Sequence, residues 1–194
     1  MATVATSTMT AAEFFEWVHR PENSSKHFEL ERGEVIEMPP PGKYHGFVCG
    51  NVSRILGNFA ASRGKGYVCT NDAGVIVQSD PDTVRGPDVT FYEDAQTSDD
   101  MDRQYAAIPP VLAVDVMSPT DRINRMHIRI AQLLSRGVRM VWVIDPEARD
   151  VSICMPGRDP KLLTEKDILT ADELLPGLRI PIRELFALPG QTAQ

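Results

Sequence analysis

Apolar residues along this chain recur with two different periods, and the segments carrying them alternate. Residues 10–19, TAAEFFEWVH, place Phe14, Trp17 and Val18 at helical spacing. Thr10 can cap that helix, Glu13 stands at the capping-box position, and Arg20-Pro21 ends it. Two strand-like pieces, residues 28–31 and 34–38, flank a tight turn at Arg32-Gly33. Pro39, Pro40, Pro41 and Gly42 interrupt the pattern. Val48, Val52, Ile55, Leu56 and Phe59 then predict a helix over residues 44–61. Residues 67–78 read as a strand, a small break and a second strand. A turn at 79–82 leads to an extended segment at 87–91, and residues 93–102 read as a solvated acidic loop.

The most regular stretch follows. Residues 111–117, VLAVDVM, are almost continuously apolar and predict a central buried strand. Ser118-Pro119-Thr120-Asp121 marks a helix start, and residues 122–136 form the helix. Its inward face is expected to carry Ile123, Met126, Ile130, Leu133 and Leu134, with Gly137 at the C-cap. Residues 139–144 predict the next strand, and residues 151–155 one more, antiparallel to it. The tail is weaker in pattern and yields pieces at 162–163, 178–182 and 183–186, with a short helix at 171–175. The expectation is an α/β fold with a mixed central sheet flanked by helices, preceded by a helix and a hairpin. A single domain is expected over residues 10–188, with residues 1–9 disordered.

Composition narrows this only slightly. The formal charge of −7 disfavours general adhesion to nucleic acid, yet leaves room for an enzyme that meets DNA at one rim. No run of eighteen apolar residues exists, and MATVATSTMT lacks the marks of a secretory signal. A cytoplasmic protein without a membrane span is expected. Cys49, Cys69 and Cys154 are odd in number, far apart and flanked by apolar residues, so they read as free, buried thiols.

The informative residues are charges where the pattern asks for hydrocarbon. Asp115 interrupts VLAVDVM, where an unpaired carboxylate would cost several kcal/mol or more in order of magnitude. It must meet a metal, a basic group or the open end of the sheet. Asp88 begins the short extended segment after Arg85-Gly86-Pro87. With Asp115 it would make a half-site for a divalent ion with hard oxygen ligands. Arg129 lies beside the buried stripe of its helix, as a site residue or as a snorkelling arginine. His45 begins the second helix on its core side, next to the proline-rich loop. Glu34 shares a strand face with Ile36 and Met38. No HExxH, GxGxxG, P-loop or GxSxG motif is present.

The segments FELERGEVIEMPPPGKYHG, RGPDVTF, PPVLAVDVMSPTDR and IAQLLSRGVRMVWVIDPEARDVSIC span residues 28–154. In order and spacing they resemble the Uma2 (DUF820-like) family of the PD-(D/E)XK nuclease superfamily. The resemblance implies a restriction-endonuclease-like core. It gives Asp88 the place of the motif's first aspartate, and Asp115 the place of the second acid, where relatives often carry glutamate. Glu34 and His45 fall where the family has an early glutamate and a histidine after its proline-rich loop. The superfamily lysine position is Met117 here. The family's alternative lysine, on the following helix, is replaced by Arg129. Arginine stays protonated, so it can orient water or stabilise charge but cannot act as the base.

The activity implied is metal-dependent hydrolysis of DNA phosphodiesters. Asp88, Asp115 and Glu34 would hold Mg²⁺ or Mn²⁺, with Arg129 and His45 at the phosphate or the attacking water. Double-stranded DNA would be the partner, and a homodimer would allow both strands to be cut. Two other readings stand beside it. One is a weak or inactive nuclease-fold homodimer that serves in binding, favoured by Arg129 and the charge of −7. The other is a hydrolase of small phosphate esters.

Overall fold

The computed structural model describes residues 8–118, 123–188 and 190–191. Residues 1–7 of the expected disordered start, and residues 119–122 of the expected helix start, lie outside the described residues.

Helix α1 (Ala11–Val18) forms where its capping box predicts. The Thr10 hydroxyl accepts from the Glu13 N–H, and the Glu13 carboxylate accepts from the Thr10 N–H. Phe14 is buried, and Trp17 and Val18 pack beside it. Strands β1 (His27–Glu31) and β2 (Glu34–Met38) pair antiparallel around Arg32 and Gly33. Both turn residues have positive φ, 52° and 79°, the backbone of a type I′ hairpin turn. Helix α2 (Lys43–Arg63) ends on Gly64 in the left-handed conformation.

The stretch at 67–78 does not stay in one sheet. β3 (Tyr67–Thr70) and β4 (Val75–Gln78) are separated by Asn71 and Asp72, both at positive φ. That kink sends the two strands to different sheets. β5 (Thr83–Arg85) is a strand the sequence pattern did not reveal, because three residues carry too little periodicity. β6 (Val89–Tyr92) and β7 (Leu112–Val116) are buried throughout. Helix α3 (Ile123–Arg136) follows, then β8 (Met140–Asp145), β9 (Asp150–Cys154), β10 (Lys161–Thr164), β11 (Ile168–Thr170) and β12 (Arg179–Pro181).

The large sheet has the order β10-β9-β8-β7-β6-β3. Only β7 and β8 run parallel, joined through α3; the other neighbours are antiparallel. The expected mixed central sheet flanked by helices is therefore present. Alternation along β7 divides its two faces. Val114 and Val116 pack on the side of α2, Val48, Val52 and Leu56 included, together with the C-terminal Leu175 and Ile182. Ala113 packs on the side of α3 with Leu133 and Val141. A second, antiparallel sheet of order β2-β1-β5-β4 stands against α1 and α3.

Two details differ from expectation. Ile123 is exposed, because the apolar stripe of α3 begins at Met126 and the first turn projects past it. Residues 171–175 make one hydrogen-bonded turn, with the N–H groups of Leu174 and Leu175 donating to the Ala171 carbonyl. Pro176 and Gly177, the latter at φ 86°, stop it from becoming a helix. No helix among the described residues is long and apolar enough to cross a membrane.

Candidate functional site

A cleft of about 1280 Å³ opens between the two sheets and the first turns of α2 and α3. Glu29, His45, Asp72, Arg85, Asp88, Asp115 and Arg129 all line it. Its charged centre lies on the floor made by β1, β7 and α3.

Asp115 comes from the fourth position of β7 and is only 3% exposed. Its Oδ1 accepts from Arg129 Nε at 2.9 Å. Among the described residues its Oδ2 meets no donor, although it is fully buried. Burial pushes the Asp115 carboxyl up to about 6, while Arg129 pulls in the opposite direction. A buried oxygen without a partner is costly unless a cation or water completes it.

Arg129 reaches three acceptors from α3. Besides Asp115 these are Glu29 Oε1 and the Gly86 carbonyl, the latter at 2.5 Å. Burial works against its charge, but Asp115 and Glu29 outweigh that and hold the guanidinium firmly protonated. Glu29 in turn accepts from Arg85 at 3.0 Å and from the Gly86 N–H at 2.8 Å. Burial alone would raise Glu29, yet Arg129 and Arg85 keep it below the usual carboxylate range. Gly86 is held where a side chain would not fit. A Cβ there would lie 2.7 Å from the Asp72 carbonyl oxygen.

Asp88 immediately precedes β6, whose first residue Val89 pairs with Val114, the neighbour of Asp115. One Asp88 oxygen accepts from the Val116 N–H at 2.6 Å, and the other lies 3.3 Å from His45 Nε2. That hydrogen bond to Asp88 pushes His45 up to about 11, so the imidazole is charged at neutral pH. On its other side, His45 Nδ1 is 3.5 Å from Cys49 Sγ. His45, Cys49 and Asp88 each bring one ligand atom within 4.8 Å of the others, and this cluster could chelate a metal ion. Asp72, near Asp88, is raised by burial first and by the Asp88 charge second.

Four of the five residues expected from sequence therefore line one cleft: Asp88, Asp115, Arg129 and His45. Glu34 does not. It sits at the turn end of β2, opposite Glu31, and is exposed. The inward glutamate is Glu29, two residues back from Glu31 on the same strand and the same face. Glu34 shares that face but stands at the turn, beyond the cover that buries Glu29. Expectation also joined Asp88 and Asp115, with Glu34, around a divalent ion. Here each already has a cationic partner, His45 and Arg129 respectively, and one oxygen of Asp115 remains open. Arg85 and Cys49 were missed. Cys49 could have been found from its spacing of one helical turn from His45.

The sequence model of the Uma2 family, described as "Putative restriction endonuclease", matches residues 11–183. No curated protein matches the chain at a significant level. Among solved structures, the chain is similar to a protein from Anabaena variabilis described as "a putative nuclease belonging to DUF820". The TM-score is 0.77 at 18% identity, covering 92% of this chain and 97% of the other. At that identity the likeness is one of fold, a mixed α/β core with a central sheet flanked by helices.

Proposed function

Because the chain belongs to the Uma2 family, we propose that its cleft is the active site of a metal-dependent endonuclease acting on double-stranded DNA. The observation that carries this reading is the open Oδ2 of Asp115, buried beside Asp88 on the floor of a cleft of about 1280 Å³. A buried carboxylate oxygen without a donor suits a hard divalent ion, and such ions take carboxylate oxygens and keep several waters. Asp115 and Asp88 would hold Mg²⁺ or Mn²⁺. When bound, the ion supplies a water of lowered pKa and neutralises charge on the scissile phosphate.

The chain's own groups do the rest. Arg129 keeps Asp115 and Glu29 ionised in a dry environment and fixes the orientation of the Asp115 carboxylate. It cannot take a proton from water, so its contribution is positional and electrostatic. His45, charged beside Asp88, adds positive charge to the cleft lining and fixes the orientation of the Asp88 carboxylate. Arg125, exposed on the cleft lining, can meet the DNA backbone outside the reacting phosphate. Cutting both strands asks for two such clefts, which a homodimer would provide.

A second reading, a weak or inactive relative that binds without cutting, is favoured by one specific observation. Arg129 already neutralises the acid on which the metal would depend. A supercoiled-plasmid assay with Mg²⁺ and Mn²⁺ separates the two. The proposal expects nicked and then linear product in wild type, lost in both Asp88→Ala and Asp115→Asn. Unchanged plasmid with folded wild-type protein would leave the binding reading standing.

A further inference from the structure

We propose that His45, Cys49 and Asp88 form a second, overlapping site for one thiophilic divalent cation of the zinc type. His45 and Cys49 are one helical turn apart and so share a face of α2. Asp88 approaches them from the segment before β6. The three ligand atoms already lie within 4.8 Å of one another. A tetrahedral zinc, with nitrogen and oxygen ligands at about 2.0–2.2 Å, sets those ligands roughly 3.3 Å apart. His45 Nε2 and Asp88 Oδ1 stand 3.3 Å apart without any adjustment.

Rigidity favours the site as well. Between and beside the two helical ligands, Val48 and Val52 are buried in the main core. Asn51 donates to the carbonyls of Leu185 and Ala187, at 3.1 and 3.3 Å. The helix therefore cannot roll, and both ligands are held toward Asp88 before any ion arrives. His45 and Asp88 line the cleft, which leaves the fourth position of a three-ligand site to water.

Donor softness sets the preference. A thiolate, an imidazole and one carboxylate select zinc-like ions over magnesium, which wants hard oxygens in an octahedron. Asp88 belongs both to this set and to the oxygen pair proposed above. A thiophilic cation seated on His45 and Cys49 therefore competes for Asp88. The binding inference itself does not rest on phosphodiester cleavage, and its test reads metal ligation alone.

The test is a Co²⁺ titration of the full chain, kept reduced with a reductant that carries no thiol. The expected result is one Co²⁺ per chain with thiolate-to-cobalt charge-transfer absorption, displaced by Zn²⁺. The band survives Cys69→Ser, whose thiol lies on β3 outside the cluster. It disappears in Cys49→Ser, with apparent Co²⁺ affinity falling by at least about tenfold, and His45→Gln weakens binding to a similar extent. A wild-type protein that binds Co²⁺ without the thiolate band overturns the proposal, and so does a band that persists in Cys49→Ser.

Discussion

Replacing Arg129 with alanine removes the cation around which the floor of the cleft is built. Three acceptors lose a donor at once: Asp115 Oδ1 at 2.9 Å, the Gly86 carbonyl at 2.5 Å, and Glu29 Oε1, which keeps the Gly86 N–H at 2.8 Å. Glu29 retains Arg85 at 3.0 Å, so its charge stays compensated. Asp115 retains no cation and is 3% exposed. Removing one member of a buried ion pair typically costs about 3–5 kcal/mol. Asp115 can recover part of that by taking up a proton, since burial already lifts it to about 6 with Arg129 present. The expected loss at pH 7 is therefore about 3 kcal/mol, the lower end of that range. The sign of the pH dependence follows from linkage. In Arg129→Ala the folded chain holds a proton on Asp115 that the unfolded chain releases above about pH 4. Stability of the variant must then fall as pH rises from 4 toward the raised folded-state value. Urea unfolding followed by circular dichroism at pH 5 and pH 7 measures both effects. Adding Asp115→Asn to Arg129→Ala removes the stranded charge, and should restore at least about 1 kcal/mol at pH 7. The reasoning is refuted if Arg129→Ala lies within about 0.5 kcal/mol of wild type at pH 7, the ordinary range of surface changes. It is equally refuted if the double variant is no more stable than the single one.

Other consequences are as direct. Arg129→Lys keeps a positive charge but can act in proton transfer, and should raise metal-dependent plasmid cutting by roughly 10²-fold, the low end for a positioned acid–base group; an unchanged or lower rate would count against a missing base as what limits this cleft. Gly86→Ala would set a Cβ 2.7 Å from the Asp72 carbonyl oxygen and 2.8 Å from its Cβ. It should cost about 1–3 kcal/mol in urea unfolding, because backbone must move on one side or the other. Away from the cleft, burial pushes Glu93 upward, but Lys65 at 2.7 Å and Arg63 at 2.9 Å overcome it and hold the carboxyl below its usual range. A depressed acid stabilises above its unfolded value and ceases to do so as pH falls. Glu93→Gln should therefore cost up to about 1 kcal/mol at pH 7, screened by the solvent around Lys65, and almost nothing near pH 3; equal costs at both pH values would argue against the pairing.

Much of the fold was legible because local chemistry and burial agree along the chain. The Thr10–Glu13 capping box, the Arg32-Gly33 turn and the apolar run ending in Asp115 each specify one local structure. What escaped notice depended on distant contacts. β5 is a strand only because β1 and β4 flank it. The break at Asn71 and Asp72 looks like a short loop in sequence, yet it divides two sheets. Within the site, Asp115 and Asp88 were visible as acids in apolar surroundings. Glu29 was not. It alternates with Phe28 and Leu30 as a surface residue would, and its burial comes from Arg85 and Arg129, which arrive from elsewhere in the chain. Choosing Glu34 instead follows from the same limit: alternation tells which face a residue takes, but not how far along the strand the cover extends.

The nuclease reading requires that the open oxygen of Asp115 be completed by a divalent cation shared with Asp88. A crystal of wild-type protein soaked in Mn²⁺ and measured at the manganese edge tests it most directly. The expected result is an anomalous peak at bonding distance, about 2.0–2.2 Å, from Asp115 Oδ2 and from one oxygen of Asp88. An ordered water or a protein donor at Asp115 Oδ2, with no anomalous peak in the cleft, would contradict it.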